Sequence, residues 1–473
     1  MAGGIWTAQN KRRPGAYINA KGAPQAKPDT DLGRTLLIGS ADLGWGPNGV
    51  VEADNTTDFR AVLGTTLNDE RLIPLRETLK GALTVLYLNQ NGGEKAKIED
   101  AKLPWNFTAK YAGTVGNTLT VTVEKDPNDE TLVTVKTLLG TTMVDEQIIR
   151  TTTASGLKSN DYVNVTFTGD STEPVGEVTV SDGGADFSAE AGKAKLDALA
   201  ASTSYTLTGG TTKASDVTEN LNDVLATENY NVVTTAGFAA DNNIHSLVVA
   251  AVKRLRDEEG YKVRAVVPMM EGASKYDHEA ISVVNNGVEL VDGSILTATQ
   301  AAGWFAGASS AADAGTSLTY TVYPDAINAA PKRTNEQTVN ALNAGQIVFT
   351  TLRNGSVTVE QDINSLVSIT DDRPNAFQKN RVIRTLDTIA TNTMETFQSQ
   401  FLGKINNDST GRSLFKANRV SYLKDLSDST VIQPVDATDL SVEPGEDRDS
   451  IFVTLGVTPI DAMEKLYMTI FVN

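Results

Sequence analysis

The sequence predicts a multidomain α/β and β protein: an α/β core split by a β-rich inserted domain, followed by a C-terminal α+β domain, with an extended arm at each end. Three observations support this prediction. The chain has 473 residues, more than one ordinary hydrophobic core holds. Strand-like and helix-like patterns alternate on both sides of a Thr- and Val-rich segment with two-residue alternation. Strand-like runs also lie close to both ends of the chain.

Residues 1–30 are predicted to form an arm, because they are rich in Gly, Pro, Lys and Ala and cannot bury a core alone. The arm contains one strand-like piece, GAYINA at 15–20, and then the linker-like KGAPQAKPDT. Two outcomes stay open for this piece: pairing with a neighbouring chain, or an edge strand within its own domain. The candidate strand residues are Gly15, Ala16, Tyr17, Ile18 and Asn19.

The α/β core is predicted over 31–103 and 205–345. Its first half reads as the strand RTLLIGSA, a short helix ending at Gly64, a second helix interrupted near Pro74, and the strand LTVLYLN. Its second half reads as strand (229–237), helix (243–260) and strand (261–268), an order that implies a βαβ crossover. The helix is expected to bury Ile244, Leu247, Val248, Ala251, Val252 and Leu255.

The texture of the sequence changes at Pro104, and we expect an inserted β-rich domain over 104–204. In NTLTVTVEK the residues Leu119, Val121 and Val123 share one face, which is typical of a half-buried antiparallel strand. DYVNVTFTG shows the same alternation, and turn sequences such as DPND separate the strands. One short helix is expected near 188–202.

A third unit is predicted over 346–473. Its longest helical pattern runs over 373–404, with Phe377, Val382, Leu386, Ile389, Met394, Phe397 and Phe401 on one side. A second helix follows at 409–426, and two strand-like runs end the chain, at 450–459 and 464–473. The last run is apolar and would be an aggregation site if it stayed in water. Its candidate strand residues are Leu466, Tyr467, Met468, Thr469, Ile470, Phe471 and Val472.

Composition excludes several classes of protein. The net charge of −18 argues against general nucleic-acid binding and against a basic membrane-surface protein. The absence of cysteine excludes disulfides, thiolate metal sites and cysteine nucleophiles. Two histidines far apart in sequence cannot build a His-rich metal site. The N-terminal residues lack the apolar stretch of a secretory signal, and no run is long enough for a membrane span, so we expect a product made in a cytoplasm.

The stretch GWGPNG, residues 44–49, fits the G-x-G-x-x-G pattern of dinucleotide-binding turns and follows the strand-like TLLIG. In a working fingerprint the strand leads directly into the first glycine and a helix begins within the motif. Here four residues separate Gly39 from Gly44, Pro47-Asn48-Gly49 is a turn sequence, and the helical pattern begins only near Thr57. We therefore interpret 44–49 as a surface loop of the core.

Other candidate motifs are weaker. AGKAK at 191–195 fails as a phosphate-binding loop, because Phe187 stands where the first glycine is required and Ala194 replaces the metal-binding hydroxyl. The trio Asp277, His278 and Glu279 is interpreted as a solvated loop, and His245 as a structural histidine early in a helix. No catalytic residues, cofactor site or metal site are predicted.

Several stretches together resemble the tail sheath proteins of contractile-tailed bacteriophages, most closely those of phages and prophages of Gram-positive bacteria. The resemblance covers most of the chain in the right order. It rests on KRRPGAYIN, AKYAGTVGNTLTVTV, LTGGTT, NYNVVTTAG and VTLGVTPIDAMEKLYMTIFV. The Gly-Pro turn after the first core strand also fits this family, which is similar to the sheaths of phage-tail-like bacteriocins.

The resemblance implies a filament-forming protein that uses no cofactor. Subunits would stack as six-membered rings around a tail tube and contract to drive the tube through a bacterial envelope. The implied partners are further copies of the chain, the tube protein, and baseplate and tail terminator proteins, with no nucleic acid and no membrane insertion. The C-terminal domain would face the tube, and both arms would add strands to neighbouring subunits. The particle would be a virion tail or a phage-tail-like particle, assembled in the host cytoplasm.

Two alternatives from other classes remain at this point. A nucleotide-dependent oxidoreductase would use 44–49. A β-rich surface adhesin would account for the Thr-rich strands and the acidity, although the sequence shows no secretory signal.

Overall fold

The structure is a computed structural model. It describes residues 3–4, 16–17, 32–40, 42–100, 102–168, 193–213, 217–270 and 276–472. In the N-terminal arm, β1 (Gly3–Gly4) pairs in parallel with β2 (Ala16–Tyr17). Of the five residues predicted for the arm strand, the structure describes Ala16 and Tyr17. Gly15, Ile18 and Asn19 lie outside the described residues.

The first half of the α/β core contains the expected elements and one that the sequence analysis missed. In chain order these elements are β3 (Arg34–Ile38), β4 (Gly49–Ala53), α1 (Phe59–Leu63), α2 (Ile73–Leu79) and β5 (Thr84–Asn89). Asp58 caps α1 by accepting hydrogen bonds from two backbone amides, and Gly64 ends it in the left-handed region. The missed element is β4, which begins at the last glycine of the 44–49 loop and pairs antiparallel with β5.

The β-rich segment forms two antiparallel sheets that share one core. Its elements are β6 (Lys97–Ile98), β7 (Trp105–Ala109), β8 (Leu119–Lys125), β9 (Leu132–Leu139), β10 (Thr142–Arg150), β11 (Val163–Phe167), α3 (Lys193–Ala198) and β12 (Ser202–Thr206). The order is β10-β9-β8-β12 in one sheet and β11-β7-β6 in the other. Leu119, Val121 and Val123 are buried on one face of β8, as their alternation predicts. β6 lies before residue 104, where the β-rich domain is predicted to begin. The sequence pattern did not reveal it, because two residues are too few to show an alternating pattern.

The second half of the core completes a seven-stranded sheet of order β19-β15-β14-β13-β3-β5-β4. All neighbouring strands are parallel except β4 and β5. The elements are α4 (Val217–Thr227), β13 (Val232–Thr234), α5 (Ile244–Asp257), β14 (Arg264–Pro268), β15 (Ile281–Val284), β16 (Gly287–Leu290), β17 (Ile295–Leu296), α6 (Ala298–Ala311), β18 (Ala326–Ala330), α7 (Asn335–Asn343), β19 (Gln346–Ile347), β20 (Phe349–Thr351) and β21 (Val357–Val359). The expected βαβ crossover is β13-α5-β14. The edge strand β19 lies just beyond residue 345, so the core sheet continues past that point.

Helices cover both faces of the core sheet. One face packs on α4 and α5, and the other on α1, α2 and α6, which gives three layers. The expected apolar face of α5 is correct except at Leu247, which is 46% exposed; His245 and Val249 are buried instead. The buried stripe of α5 is therefore rotated slightly from the one that the apolar residues suggest.

The C-terminal part pairs two helices with a hairpin. Its elements are α8 (Asn380–Thr396), α9 (Ser409–Asp428), β22 (Leu440–Pro444) and β23 (Ile451–Leu455). The single pattern expected over 373–404 is divided into a 3-10 turn, α8 and a π-helical turn at Phe397–Phe401, and α9 is the longer helix. Met394 lies ~140° around α8 from Ile389 and is exposed, although Val382, Ile389 and Phe401 are buried.

Buried charges join α8 to the core. Arg384 donates from Nη2 to Asp362 Oδ2 at 2.6 Å, and both side chains are almost fully buried. Asn380 donates to the other oxygen of Asp362 at 2.9 Å. One turn further on, Asp387 accepts two hydrogen bonds from Arg256 of α5. These contacts fix the first half of α8 on the core.

Candidate functional site

The 44–49 loop lies between β3 and β4 of the core and packs against the β-rich segment. Trp45 is fully buried, donates from Nε1 to Ala61 O at 2.9 Å and lies against the rings of Tyr111 and Tyr162. Asn91 donates to both Gly46 O and Ala112 O, at 2.8 and 2.7 Å. The expectation of a surface loop is therefore wrong, because its central side chain is part of the core that the two units share.

The glycines of the 44–49 loop are explained by the close approach of neighbouring atoms to the loop backbone, and not by a phosphate-binding role. Gly46 has φ +98°, and a Cβ there would lie 2.6 Å from Asn89 Nδ2. A Cβ on Gly113 of the β-rich segment would lie 1.9 Å from Gly44 O. The loop also leads into a strand, so no helix N-terminus meets the glycines as a dinucleotide turn requires.

Open α/β sheets bind ligands where the strand order reverses, at the carboxyl ends of two neighbouring strands. Here that point lies between β3 and β13. Gly237, which follows β13, is so close to Ser40 and Pro74 that a Cβ there would lie 2.5 Å from Ser40 Oγ. Among the described residues, the space at this point has no volume that admits a water molecule. The usual ligand crevice is thus closed by packing.

Both histidines have structural surroundings. His245 donates from Nε2 to Ala239 O at 2.8 Å, so its Nδ1 accepts from Thr235 Oγ1 at 2.6 Å. Burial lowers the pKa of His245. This geometry confirms the interpretation of His245 as a structural histidine.

The sequence analysis placed His278 in a solvated loop, and this interpretation is wrong. Its side chain is buried, its Nδ1 accepts from Ala280 N at 3.1 Å, and its Nε2 lies 3.4 Å from Asp257 Oδ2. Burial lowers its pKa, although Glu279 and Asp257 act in the opposite direction. Neighbouring Asp277 accepts from the backbone amides of Val367 and Ser368. The trio therefore joins the core to the segment that leads to α8.

The described ranges contain no group of three or more His, Asp or Glu side chains placed to bind a metal ion. Among the described helices, none combines the length with the apolarity that crossing a bilayer requires. Of the AGKAK stretch, Lys193 begins α3, and Phe187 lies outside the described residues.

The last described residues form an apolar segment that leaves the body of the protein; we call residues 465–472 the tail. The tail begins directly after Glu464, whose carboxylate accepts from Thr319 Oγ1 at 2.9 Å and Gln361 Nε2 at 2.8 Å and pairs with Lys379. The apolar tail side chains are between 69% and 94% exposed, and they are Leu466, Tyr467, Met468, Ile470, Phe471 and Val472. Thr469 is exposed as well. The tail contains no strand in the single chain, so the strand expected over 464–473 has no ladder there.

The β22–β23 hairpin is a second exposed apolar feature. In the part of the chain that the structure describes, β23 pairs with β22 and with no third strand. Phe452 on β23 is 61% exposed, and Val453 is exposed as well. The sequence analysis missed β22, although DLSVEPGED contains the signal: Leu440 and Val442 alternate before a Pro-Gly turn.

Comparison with known proteins places the chain in a family. It matches the family models of the phage tail sheath beta-sandwich domain over 91–213, the central domain over 209–365 and the C-terminal domain over 372–473. It is 32% identical to the phage-like element PBSX protein XkdK of Bacillus subtilis, over the full length of both chains.

Solved structures of sheath proteins are also similar to this chain. A sheath tail protein from Desulfitobacterium hafniense is 32% identical, with a TM-score of 0.74 over 96% of this chain and 99% of that one. The helical sheath protein of the anti-feeding prophage in its contracted state shares the fold at 11% identity, with a TM-score of 0.53 over 97% of this chain and 99% of that one. With full-length relatives above 30% identity and three consecutive family matches, the chain belongs to the phage tail sheath protein family.

Proposed function

We propose that this chain is the structural subunit of a contractile sheath that polymerises as stacked six-membered rings around a tail tube. Contraction of the polymer would drive the tube through a bacterial envelope. Within this chain one observation carries the proposal: the tail is apolar, exposed and tied to its own body at Glu464. A polymer that buries the tail explains why such a segment is kept.

The tail is suited to strand exchange. Fully burying one large aliphatic side chain contributes roughly 1.5–3 kcal/mol, so several tail residues buried together supply a substantial contact free energy. A strand added to a sheet edge also satisfies backbone groups on both partners. The β22–β23 hairpin offers such an edge on the same part of the chain. A tail given to one neighbour and a hairpin edge offered to another make a head-to-tail contact, which generates rings or helical filaments.

The N-terminal arm is assigned the same role. Gly15, Ala16, Tyr17, Ile18 and Asn19 would form its exchanged strand, and residues 466–472 the C-terminal one. The C-terminal unit, 346–473, would face the tube, and the inserted β-rich domain, 104–204, would face outward from the core at 31–103 and 205–345. The remaining partners would be the tube protein and the baseplate and tail terminator proteins.

Contraction is proposed to use no cofactor and no enzymatic step. A switch between two lattices needs only a difference in the contacts that each lattice makes. The particle would be a virion tail or a phage-tail-like particle, assembled in the host cytoplasm. The closed crevice at the sheet's switch point and the buried 44–49 loop are consistent with a subunit that works through its contacts.

Deleting residues 465–473 tests the proposal. Because the tail is exposed, we expect the shortened chain to keep the melting temperature of the intact chain while it no longer forms tubes by electron microscopy. Leu247→Ser is the matched control, since Leu247 is an exposed apolar residue on α5, and it should polymerise normally. Tubes of ordinary length from the shortened chain would refute the role of the tail.

A further inference from the structure

A half-open cavity of about 90 Å³ lies where the two C-terminal helices meet, at the far end of α8. Phe397, Phe401 and Phe415 line it together with Leu402, Ile405 and Ile451, and the polar or charged side chains of Asn406, Arg412 and Asp449 border it as well. The three rings are packed on one another, with centroid separations between 5.0 and 6.5 Å. Leu402 and Ile405 are exposed at the rim. We call this cavity the phenylalanine pocket.

The geometry of the chain keeps the pocket formed. The π turn carries Phe397 and Phe401, with their ring planes nearly parallel. Asn407, in the loop before α9, donates to Arg448 O and Ser450 O of the hairpin turn at 3.0 and 2.7 Å. The pocket therefore lies beside Ile451, the first residue of β23, and next to the hairpin edge.

We propose that the phenylalanine pocket binds the side chain of Met468 from the tail of a second copy of this chain. The inference rests on the proposed sheath function and specifies one contact of the exchanged tail. Residues of an extended strand alternate between two faces. One face of the tail is entirely aliphatic, because it carries Leu466, Met468, Ile470 and Val472. Met468 is one of the two inner residues of that face and is 69% exposed in the single chain.

The size and chemistry of the pocket fit methionine. A dry cavity of about 150 Å³ is enough for benzene, so the smaller phenylalanine pocket suits an unbranched aliphatic chain better than an aromatic ring. Methionine fills irregular apolar gaps, and its sulfur makes favourable contacts with aromatic rings. Tyr467 and Phe471 lie on the other face of the extended tail, so they point away when Met468 points into the pocket.

The tail of the same chain does not fill the pocket in the structure. Glu464 is held beside Lys379, which precedes α8, whereas the pocket lies at the other end of that helix. From Asn380 to Phe397 the helix rises ~26 Å. From Glu464 to Met468 an extended chain spans at most ~14 Å. In the single chain Met468 is 69% exposed and does not line the pocket, so we assign the occupant to another copy.

The absence of cysteine allows a direct test of this contact in the polymer. We would combine Ile405→Cys with Met468→Cys in the full chain, let it polymerise and oxidise it. A disulfide requires Cβ atoms about 4 Å apart, so it reports a close approach of the two residues. We expect a ladder of covalent oligomers in denaturing gels without reducing agent. Each single variant should give no more than dimers, and the control pair Leu247→Cys with Met468→Cys should give no ladder.

Three outcomes would overturn the proposal. Polymers without a ladder would refute the pocket contact and leave the sheath function intact. A ladder from Ile405→Cys with Tyr17→Cys, absent from the Met468 pair, would assign the pocket to the N-terminal arm. Absence of polymers from the unsubstituted chain under the same conditions would refute the proposed function together with this contact.

Discussion

Glu464 Oε1 accepts a hydrogen bond from Thr319 Oγ1 at 2.9 Å, directly before the tail leaves the body of the protein. Its other carboxylate oxygen accepts from Gln361 and pairs with Lys379. Burial raises the pKa of Glu464, but the hydrogen bonds from Lys379, Gln361 and Thr319 outweigh it, so the pKa is lowered overall. Glu464 is thus a charged anchor that sets the point at which the tail leaves the body of the protein.

We predict that Glu464→Gln releases the base of the tail without unfolding the chain. The amide keeps part of the hydrogen bonding but loses the charge opposite Lys379, which leaves that ammonium group uncompensated. Tubes should form more slowly and be shorter by electron microscopy, while the melting temperature falls only slightly. Glu446→Gln, at an exposed position in the hairpin turn, is the matched control. Unchanged tube formation by Glu464→Gln would show that the anchor does not limit assembly.

The anchor should also weaken in acid. Because the folded-state pKa of Glu464 lies below its ordinary value of 4.5, the free energy that the anchor contributes is fully present above that value. It is lost as the pH falls through the folded pKa. Proteolysis near residue 464 should therefore accelerate in the unsubstituted chain as the pH falls below the ordinary value of 4.5. An equal acceleration in Glu464→Gln would contradict this explanation.

Much of the core could be predicted from the sequence, because its signals are local. Asp58 and Gly64 mark the ends of a short helix, and the alternation of Leu119, Val121 and Val123 marks one face of a strand. The resemblance to sheath proteins, carried by short stretches in the right order, predicted the family correctly. These predictions depend on contacts between neighbours in sequence or on the order of motifs.

What could not be predicted depends on long-range packing. Trp45 has the sequence context of a surface turn, but it is buried because Tyr111 and Tyr162 of another unit cover it. The anchor at Glu464 joins residues more than eighty positions apart, so no local pattern reveals it. The phenylalanine pocket depends on a π turn, and an apolar period of 3.6 residues does not anticipate that turn.

Breaking the buried pair of Arg384 and Asp362 should destabilise the chain strongly. Arg384→Met leaves the carboxylate of Asp362 buried without its counter-ion, which costs about 3–5 kcal/mol. Thermal and denaturant unfolding would measure the loss. The exposed pair of Lys97 and Glu99, 3.9 Å apart, supplies the control: Lys97→Met should change the free energy of unfolding by less than about 1 kcal/mol. Similar effects of both substitutions would contradict a structural role for the buried pair.

Substitution of Trp45 should lower the stability of the fold. It should affect polymerisation only by reducing the amount of folded protein. Trp45→Ala removes a fully buried ring from the junction of the core and the β-rich segment, a change that costs about 3–5 kcal/mol. Trp45→Phe keeps a ring but loses the bond to Ala61 O, so its cost should be smaller. Any fraction that folds should polymerise normally. A stable Trp45→Ala chain that fails to polymerise would instead place Trp45 in a subunit contact.

His278 should make the core sensitive to acid. Burial holds its folded-state pKa below the ordinary value of 6.5, so the neutral ring favours folding at neutral pH. That contribution is present above the ordinary value and is lost as the pH falls, because the unfolded state then binds the additional proton. His278→Gln should lower stability at neutral pH but flatten its dependence on pH below 6.5. A parallel pH profile for the variant and the unsubstituted chain would exclude His278 as the titrating group.

Phe452 tests the hairpin as a subunit contact. It lies on β23, is 61% exposed and has no role in the described core, so Phe452→Ser should leave the melting temperature nearly unchanged. If a neighbour's strand covers this face, the substitution removes apolar area from the contact and should raise the protein concentration needed for tube formation. Tyr261→Ser, at an exposed position between α5 and β14, is the control and should have no such effect. Light scattering over a range of protein concentrations would compare the three chains. Equal critical concentrations for Phe452→Ser and the unsubstituted chain would exclude this face of the hairpin from the contact.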